Sequence, residues 1–167
     1  MYCFNTMYFD YSCSSWFPGI NKGISDKLQV LQNRMIRFIL NLNSRHYIGY
    51  KELKEAGFLK VSERVKQLKL GHIFKIKNKT CPSYMNTNFK MLNENVNRSS
   101  TRSYQSNFFL PSSGSQGSKF FFYTGIHDWN SLPNSIKEIK NEAQFKKKVK
   151  AHLMLETKND EMKLFTK

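Results

Sequence analysis

Apolar side chains recur from Ile24 through Leu28, Leu31, Met35, Phe38 and Leu42 in alternating steps of four and three. That spacing puts them on one side of an α-helix and predicts a helix over 24–42 with its stripe turned to a core. Ser25 or Asp26 can accept from the free amides of the first turn. A shorter helix over 50–56 is expected to stop at Gly57, where the missing Cβ permits a left-handed cap. Phe58 and Leu59 then lead into a second long helix with Ser62 as N-cap. Val65, Leu68, His72 and Ile76 share one of its faces and Leu70 and Phe74 lie opposite, which places it between neighbours. Pro82 requires it to be over by Cys81. His72, on an apolar face, reads as a core or boundary histidine rather than a ligand.

From residue 86 to 118 the composition shifts to Asn, Ser, Thr and Gly, with the flexible extreme at 112–118. Two aromatic, β-prone runs flank that Ser/Gly loop, Ser103 to Leu110 and Lys119 to Thr124. They are expected to pair as a small β-hairpin within 103–124, the alternative being irregular packing against the helices. Trp129-Asn130-Ser131-Leu132-Pro133 precedes a helical turn holding Ile136 and Ile139. Asn141 then opens a last helix whose Phe145, Val149, His152 and Leu153 line one side, and from Thr157 the apolar face is lost and fraying is expected. The fold class expected is mainly α: a bundle-like helical domain over 24–156, an N-terminal segment over 1–23 and a frayed tail over 157–167.

Charge changes the picture. The 167 residues carry 27 Lys plus Arg and 12 Asp plus Glu, a net +15, with 14% aromatics. This is one domain's length, too apolar for a disordered basic tail and without the ~20-residue apolar run of a membrane span. The excess is local. Residues 27–79 hold 13 basic and 3 acidic side chains, a net +10, and residues 134–167 hold 9 and 5, a net +4. Lys27, Arg34 and Arg37 lie along one flank of the first stripe, either as a solvated face or as a phosphate-facing one. Lys66 and Lys69 occupy the second long helix, and Lys146, Lys147, Lys148 and Lys150 crowd the polar side of the last. With Arg102 these are the candidate nucleic-acid-binding residues, and Tyr104, Phe122 or Tyr123, if exposed rather than core, can stack on bases. The partner expected is RNA or DNA, met through its phosphate backbone, with no membrane partner.

Catalytic chemistry finds little to use. Asp10, Asp26, Asp128 and Asp160 include no Asp-Asp pair of the sort that could gather two cations, so metal-dependent phosphoryl transfer is not expected. His46, His72, His127 and His152 are far apart, and Cys3, Cys13 and Cys81 are scattered, which offers no zinc spacing and no disulfide framework. The sequence implies no cofactor, no metal and no enzyme. The start lacks a basic region followed by an apolar one, and an intracellular setting, cytoplasm or nucleus, is expected.

The order of several motifs is distinctive. Tyr11-Ser12-Cys13-Ser14-Ser15-Trp16-Phe17-Pro18 precedes Leu28-Gln29-Val30-Leu31-Gln32-Asn33-Arg34-Met35-Ile36-Arg37-Phe38-Ile39-Leu40. Gly57-Phe58-Leu59, Arg64-Val65-Lys66-Gln67-Leu68, Pro82-Ser83-Tyr84-Met85 and Thr101-Arg102-Ser103 follow, then Phe120-Phe121-Phe122-Tyr123, Trp129-Asn130-Ser131-Leu132-Pro133 and Phe145-Lys146-Lys147. Together, from about Tyr8 to Leu155, they resemble the region beyond the palm in reverse transcriptases of jockey-like non-LTR retrotransposons. The resemblance implies a thumb end and connecting domain that help hold template RNA and target DNA, without the palm's paired aspartates or an endonuclease domain. It implies a truncated or fragmented copy of an RNA-directed DNA polymerase, non-catalytic by itself. As an alternative, the apolar faces of helices 24–42 and 61–79 would bind the missing palm and thumb or a second copy, or the chain is a remnant with no selected function. The Trp129 to Pro133 motif is expected to serve folding, with Trp129 and Leu132 buried.

Overall fold

The computed structural model describes residues 10–86, 89–92, 106–110, 112, 114, 117 and 120–165, and among these the chain forms eight α-helices and no β-strand. They are α1 (Cys13–Trp16), which runs into a 3-10 turn (Phe17–Gly19), α2 (Lys22–Ile39), α3 (Tyr50–Ala56), α4 (Val61–Lys77), α5 (Ser83–Asn86), α6 (Phe121–Asn130), α7 (Asn134–Lys137) and α8 (Glu142–Phe165). The fold is mainly α, as the periodicity predicts.

Local chemistry sets the helix ends. Asn21 Oδ1 accepts from the Ile24 amide at 2.9 Å and starts α2, one turn before the caps expected at Ser25 or Asp26. Gly57 ends α3 at φ 75°, a conformation that costs a glycine nothing. Ser62 does not cap α4. The Val61 amide donates to Gln29 Oε1 at 2.9 Å, so α2 caps it from a distance. Asn141 Oδ1 accepts from the amides of Ala143 and Gln144 at 2.9 and 3.1 Å and opens α8 as expected.

Helix α4 lies among α1, α2, α6 and α8. Its Leu70, Ile73, Phe74 and Ile76 join Ile126 and Trp129 of α6 and Phe145, Val149 and Leu153 of α8 in the main core. Gly125 of α6 faces Ile73 so closely that a Cβ would stand 3.1 Å from its Cδ1, which lets the two helices approach. A smaller core joins Ile36 of α2 and Leu53 of α3 with Ile48. The motif after α6 is a clasp. Trp129 Nε1 donates to the Ser106 carbonyl at 2.9 Å, and the Asn130 side chain both accepts from the Phe108 amide, at 3.0 Å, and donates to its carbonyl, at 2.9 Å. Asn130 thus stands in for a neighbouring strand. Trp129 and Leu132 are buried, as the motif implied.

Four expectations are corrected. The hairpin within 103–124 does not form across its second run: residues 121–124 open α6, and Phe108 makes one antiparallel bridge to Met91 instead. Residues 103–105, 118 and 119 lie outside the described set. Phe121 and Phe122 sit four residues before Gly125 and Ile126, and the packing of that helical face outweighs β-propensity. The tail does not fray at Thr157: α8 continues to Phe165, Thr157 is buried with its Oγ1 donating to the Leu153 carbonyl at 3.2 Å, and Glu161 Oε2 accepts from the Tyr50 amide at 2.9 Å. The apolar residues of α4 are buried rather than open to an absent domain. The stripe of α2 is split rather than turned to a core: Ile24, Leu31 and Phe38 face water while Leu28, Met35 and Leu42 are half-buried, because Gln29 and Gln32 anchor the adjoining side; Gln32 Nε2 donates to the Leu59 carbonyl at 2.8 Å.

Candidate nucleic-acid interface

Phosphate contacts need cations that are exposed and not already neutralised. The structure sorts the candidates by that criterion. Lys69 fails it: the side chain is buried and its Nζ lies 2.6 Å from Asp128 Oδ2, an ion pair joining α4 to α6. The ammonium lies in the wall of a recess between α4 and α6, where Asp128 neutralises it. Lys66 pairs with Glu156 at 3.2 Å, which also meets His152 at 3.3 Å. Lys146 pairs with Glu142 at 2.6 Å, and this hydrogen bond is the main reason the pKa of Glu142 is lowered; Lys75 adds a longer contact at 3.6 Å. Lys150 donates to the Gly57 carbonyl at 2.7 Å, answering a free carbonyl where α3 ends. Arg37 Nε donates to the His46 carbonyl at 2.7 Å and holds the turn after α2.

Arg34 on α2 and Lys147 and Lys148 on α8 are exposed and form no ion pair among the described residues. Arg102 and Tyr104 lie outside the described residues. Phe122 packs on Phe89 with ring centroids 4.8 Å apart, and both it and Tyr123 are half-buried, so neither presents an open ring face. His72 is at the boundary, edge-on to Phe121 at 6.1 Å; desolvation, then Lys75 and Lys146, lower its pKa and keep it neutral at physiological pH.

Sequence reasoning passed over Lys54 and Lys158. Lys150 meets the end of α3 and Glu161 meets its start, so α3 runs antiparallel along α8. That pairing brings the two ammoniums to the Tyr50 ring, each 5.9 Å from its centroid, and both remain exposed. The signal was absent locally, because the two lysines are 104 positions apart. Two other lysines are removed from consideration. Lys137 is 1% exposed, with Nζ donating to Asn107 Oδ1 at 2.8 Å and the Asn130 carbonyl at 2.9 Å, and Lys77 donates to the Lys137 carbonyl beneath the Trp129 ring. Burial lowers the pKa of both.

The chain matches no protein-family model, no curated protein and no solved structure. Geometry therefore carries the functional argument alone. No helix among the described residues is long and apolar enough to cross a membrane. Two recesses compete with the charged surface as sites. An apolar cavity of about 270 Å³ is lined by Cys13, Met35, Phe58, Leu59 and Val65. Its polar rim is self-satisfied: Arg64 binds both Asp10 oxygens at 3.1 and 2.6 Å and Gln67 at 2.7 Å, leaving no group to orient a ligand. Burial, followed by the Asp10 charge, raises the Cys13 pKa and keeps the thiol inert.

The other recess, about 520 Å³, lies between the 3-10 turn, α2, α4 and α6 and includes Lys22, Glu63, Lys66, Thr124 and Asp128. Glu63 Oε2 is shut from water without a hydrogen-bond partner. Its pKa is raised above the ordinary 4.5, by burial first, with Lys66 opposing and Glu156 adding to the rise. The folded state then holds a proton that the unfolded chain has lost, so this contribution to stability is full below pH 4.5 and falls as pH rises through the folded pKa. Glu63→Gln is expected to raise Tm at pH 7.5 and to lose that advantage below pH 4.5. Thermal melts across this range check it; a gain independent of pH would show that Glu63 is not strained by its charge.

Proposed function

We propose that this chain is a non-catalytic helical module that binds RNA or DNA through the phosphate backbone without strong sequence preference. This is the supporting role that the resemblance implies for the region beyond the palm of a non-LTR retrotransposon reverse transcriptase. The observation that carries the proposal is the placement of unpaired cations. Arg34, Lys147 and Lys148 stand exposed and unpaired with any carboxylate among the described residues, and Lys54 and Lys158 lie over the Tyr50 ring, on a chain of net charge +15. Two of the four aspartates, by contrast, are spent on structure: Asp10 on Arg64 and Asp128 on Lys69.

Affinity against salt tests this. Binding through Z phosphates gives a log–log slope near −0.9Z on duplex DNA. The double variant Lys147→Gln/Lys148→Gln is expected to make the slope shallower by about 1.8, with affinity reduced to a similar extent on unrelated sequences. Absence of binding at low salt, or a slope near zero, would rule the proposal out.

A further inference from the structure

The outward face of α2 has an unusual composition. Ile24, Lys27, Val30, Leu31, Arg34 and Phe38 fall on one side of the helix at three- and four-residue spacing. Ile24, Val30 and Leu31 each keep close to half of their surface in water, and Phe38 is 88% exposed. Asp26, Lys27, Val30, Leu31 and Arg34 line a shallow groove of about 400 Å³, two cations against one carboxylate. A solvated helix face is ordinarily polar; this one alternates apolar side chains with cations over fifteen residues, about 21 Å of helix from first to last. The same helix cannot turn these residues inward, because Gln29 and Gln32 hold its other side to the chain entering α4.

We infer that this face of α2 is a stacking track for single-stranded nucleic acid, with Phe38 as its aromatic platform. The inference rests on the nucleic-acid reading above and names its substrate class. Cations at Lys27 and Arg34 suit phosphates, and apolar side chains between and beyond them suit the flat faces of unstacked bases. A duplex keeps those faces inside its own stack and would use only the cations. A second copy of the chain fits less well: in a two-fold contact the face meets itself and sets Lys27 and Arg34 against like charges. The track is also held in shape. Arg37 ties the turn after α2 to the His46 carbonyl, and the next residue, Tyr47, is 62% exposed, a second open aromatic on that tethered segment.

Phe38→Ala tests the track cleanly, since a side chain this exposed contributes little to folding; unchanged circular dichroism and Tm confirm that. Anisotropy is measured with labelled single-stranded oligo-dT and oligo-U and with a duplex of equal length, at one salt concentration. Phe38→Ala is expected to weaken single-strand binding about tenfold and duplex binding less than twofold. Phe38→Trp is expected to restore single-strand affinity. Arg34→Gln should reduce the single-strand salt slope by about 0.7. Equal loss on both ligands, or no loss on the single strand, overturns the track while leaving phosphate binding standing. No binding to either ligand overturns both. Sedimentation showing a wild-type dimer that Phe38→Ala converts to monomer would assign the face to a second copy instead.

Discussion

Trp129→Ala is expected to destabilise the protein by about 3–5 kcal/mol, the usual cost of emptying a large aromatic site in a packed core. The side chain is fully buried, stacked on Phe145 at 5.7 Å and edge-on to Phe108 at 5.9 Å. Its Nε1 is also the donor to the Ser106 carbonyl, so the substitution removes one of the hydrogen bonds that hold the 106–110 segment to α6, leaving those of Asn130, as well as opening a void. For a chain of this size the loss corresponds to a fall in Tm on the order of 10 °C, read by circular dichroism or calorimetry. Trp129→Phe separates the two effects. It keeps most of the apolar contact and removes the indole donor to the Ser106 carbonyl, and should cost about 1–2 kcal/mol. A melting curve for Trp129→Ala within two degrees or so of wild type would show that the clasp does not close the core.

Lys69→Met should cost about 3 kcal/mol, at the lower end for a broken buried ion pair because Asp128 retains some contact with solvent. The methionine replaces the aliphatic stem but leaves the carboxylate on α6 without its cation. Lys69→Met/Asp128→Leu removes both charges and should recover much of the loss, since an apolar pair of similar volume avoids the cost of dehydrating two ions. Urea unfolding of the two single variants and the double variant forms a cycle that measures the coupling. If the double variant is no better than Lys69→Met, the contact is one of packing and its charge is incidental. The same experiment bears on function, because a lysine reserved for Asp128 is unavailable to phosphate and its loss should leave the salt slope unchanged.

The legible parts of this fold were those written in adjacent residues. Gly57 closing α3 and Asn141 opening α8 depend on groups one to three positions away, and both stand where the sequence places them. The direction of α2 was not legible, since two of its faces carry apolar residues and the choice was made by Gln29 accepting from Val61 and Gln32 donating to Leu59, about thirty positions later. The tail after Thr157 lacks an apolar stripe, yet it docks by polar contacts that periodicity does not register. Residues 121–124 are each β-prone, and only their spacing to Ile126 and Trp129 favours a helix.

The candidate interface followed the same division. Lys147 and Lys148 were legible because nothing acidic sits a helical turn away on their side. Lys66 and Lys69 were not, because Glu156 and Asp128 come from helices 90 and 59 positions further along. Net charge thus located the basic segments correctly but could not say which members were already spoken for.

The amide of Tyr50, at the start of α3, finds its acceptor in Glu161, 111 residues later. During synthesis at about 5–20 residues per second, that acceptor arrives on the order of ten seconds after the donor. Phe145, Val149 and Leu153 reach the main core with the same delay. While the chain is being made, α4 therefore waits with part of its apolar surface uncovered until α8 follows and completes the main core. A nascent chain stalled before α8 should be sensitive to protease and dependent on chaperones, whereas one that already includes α8 should resist protease.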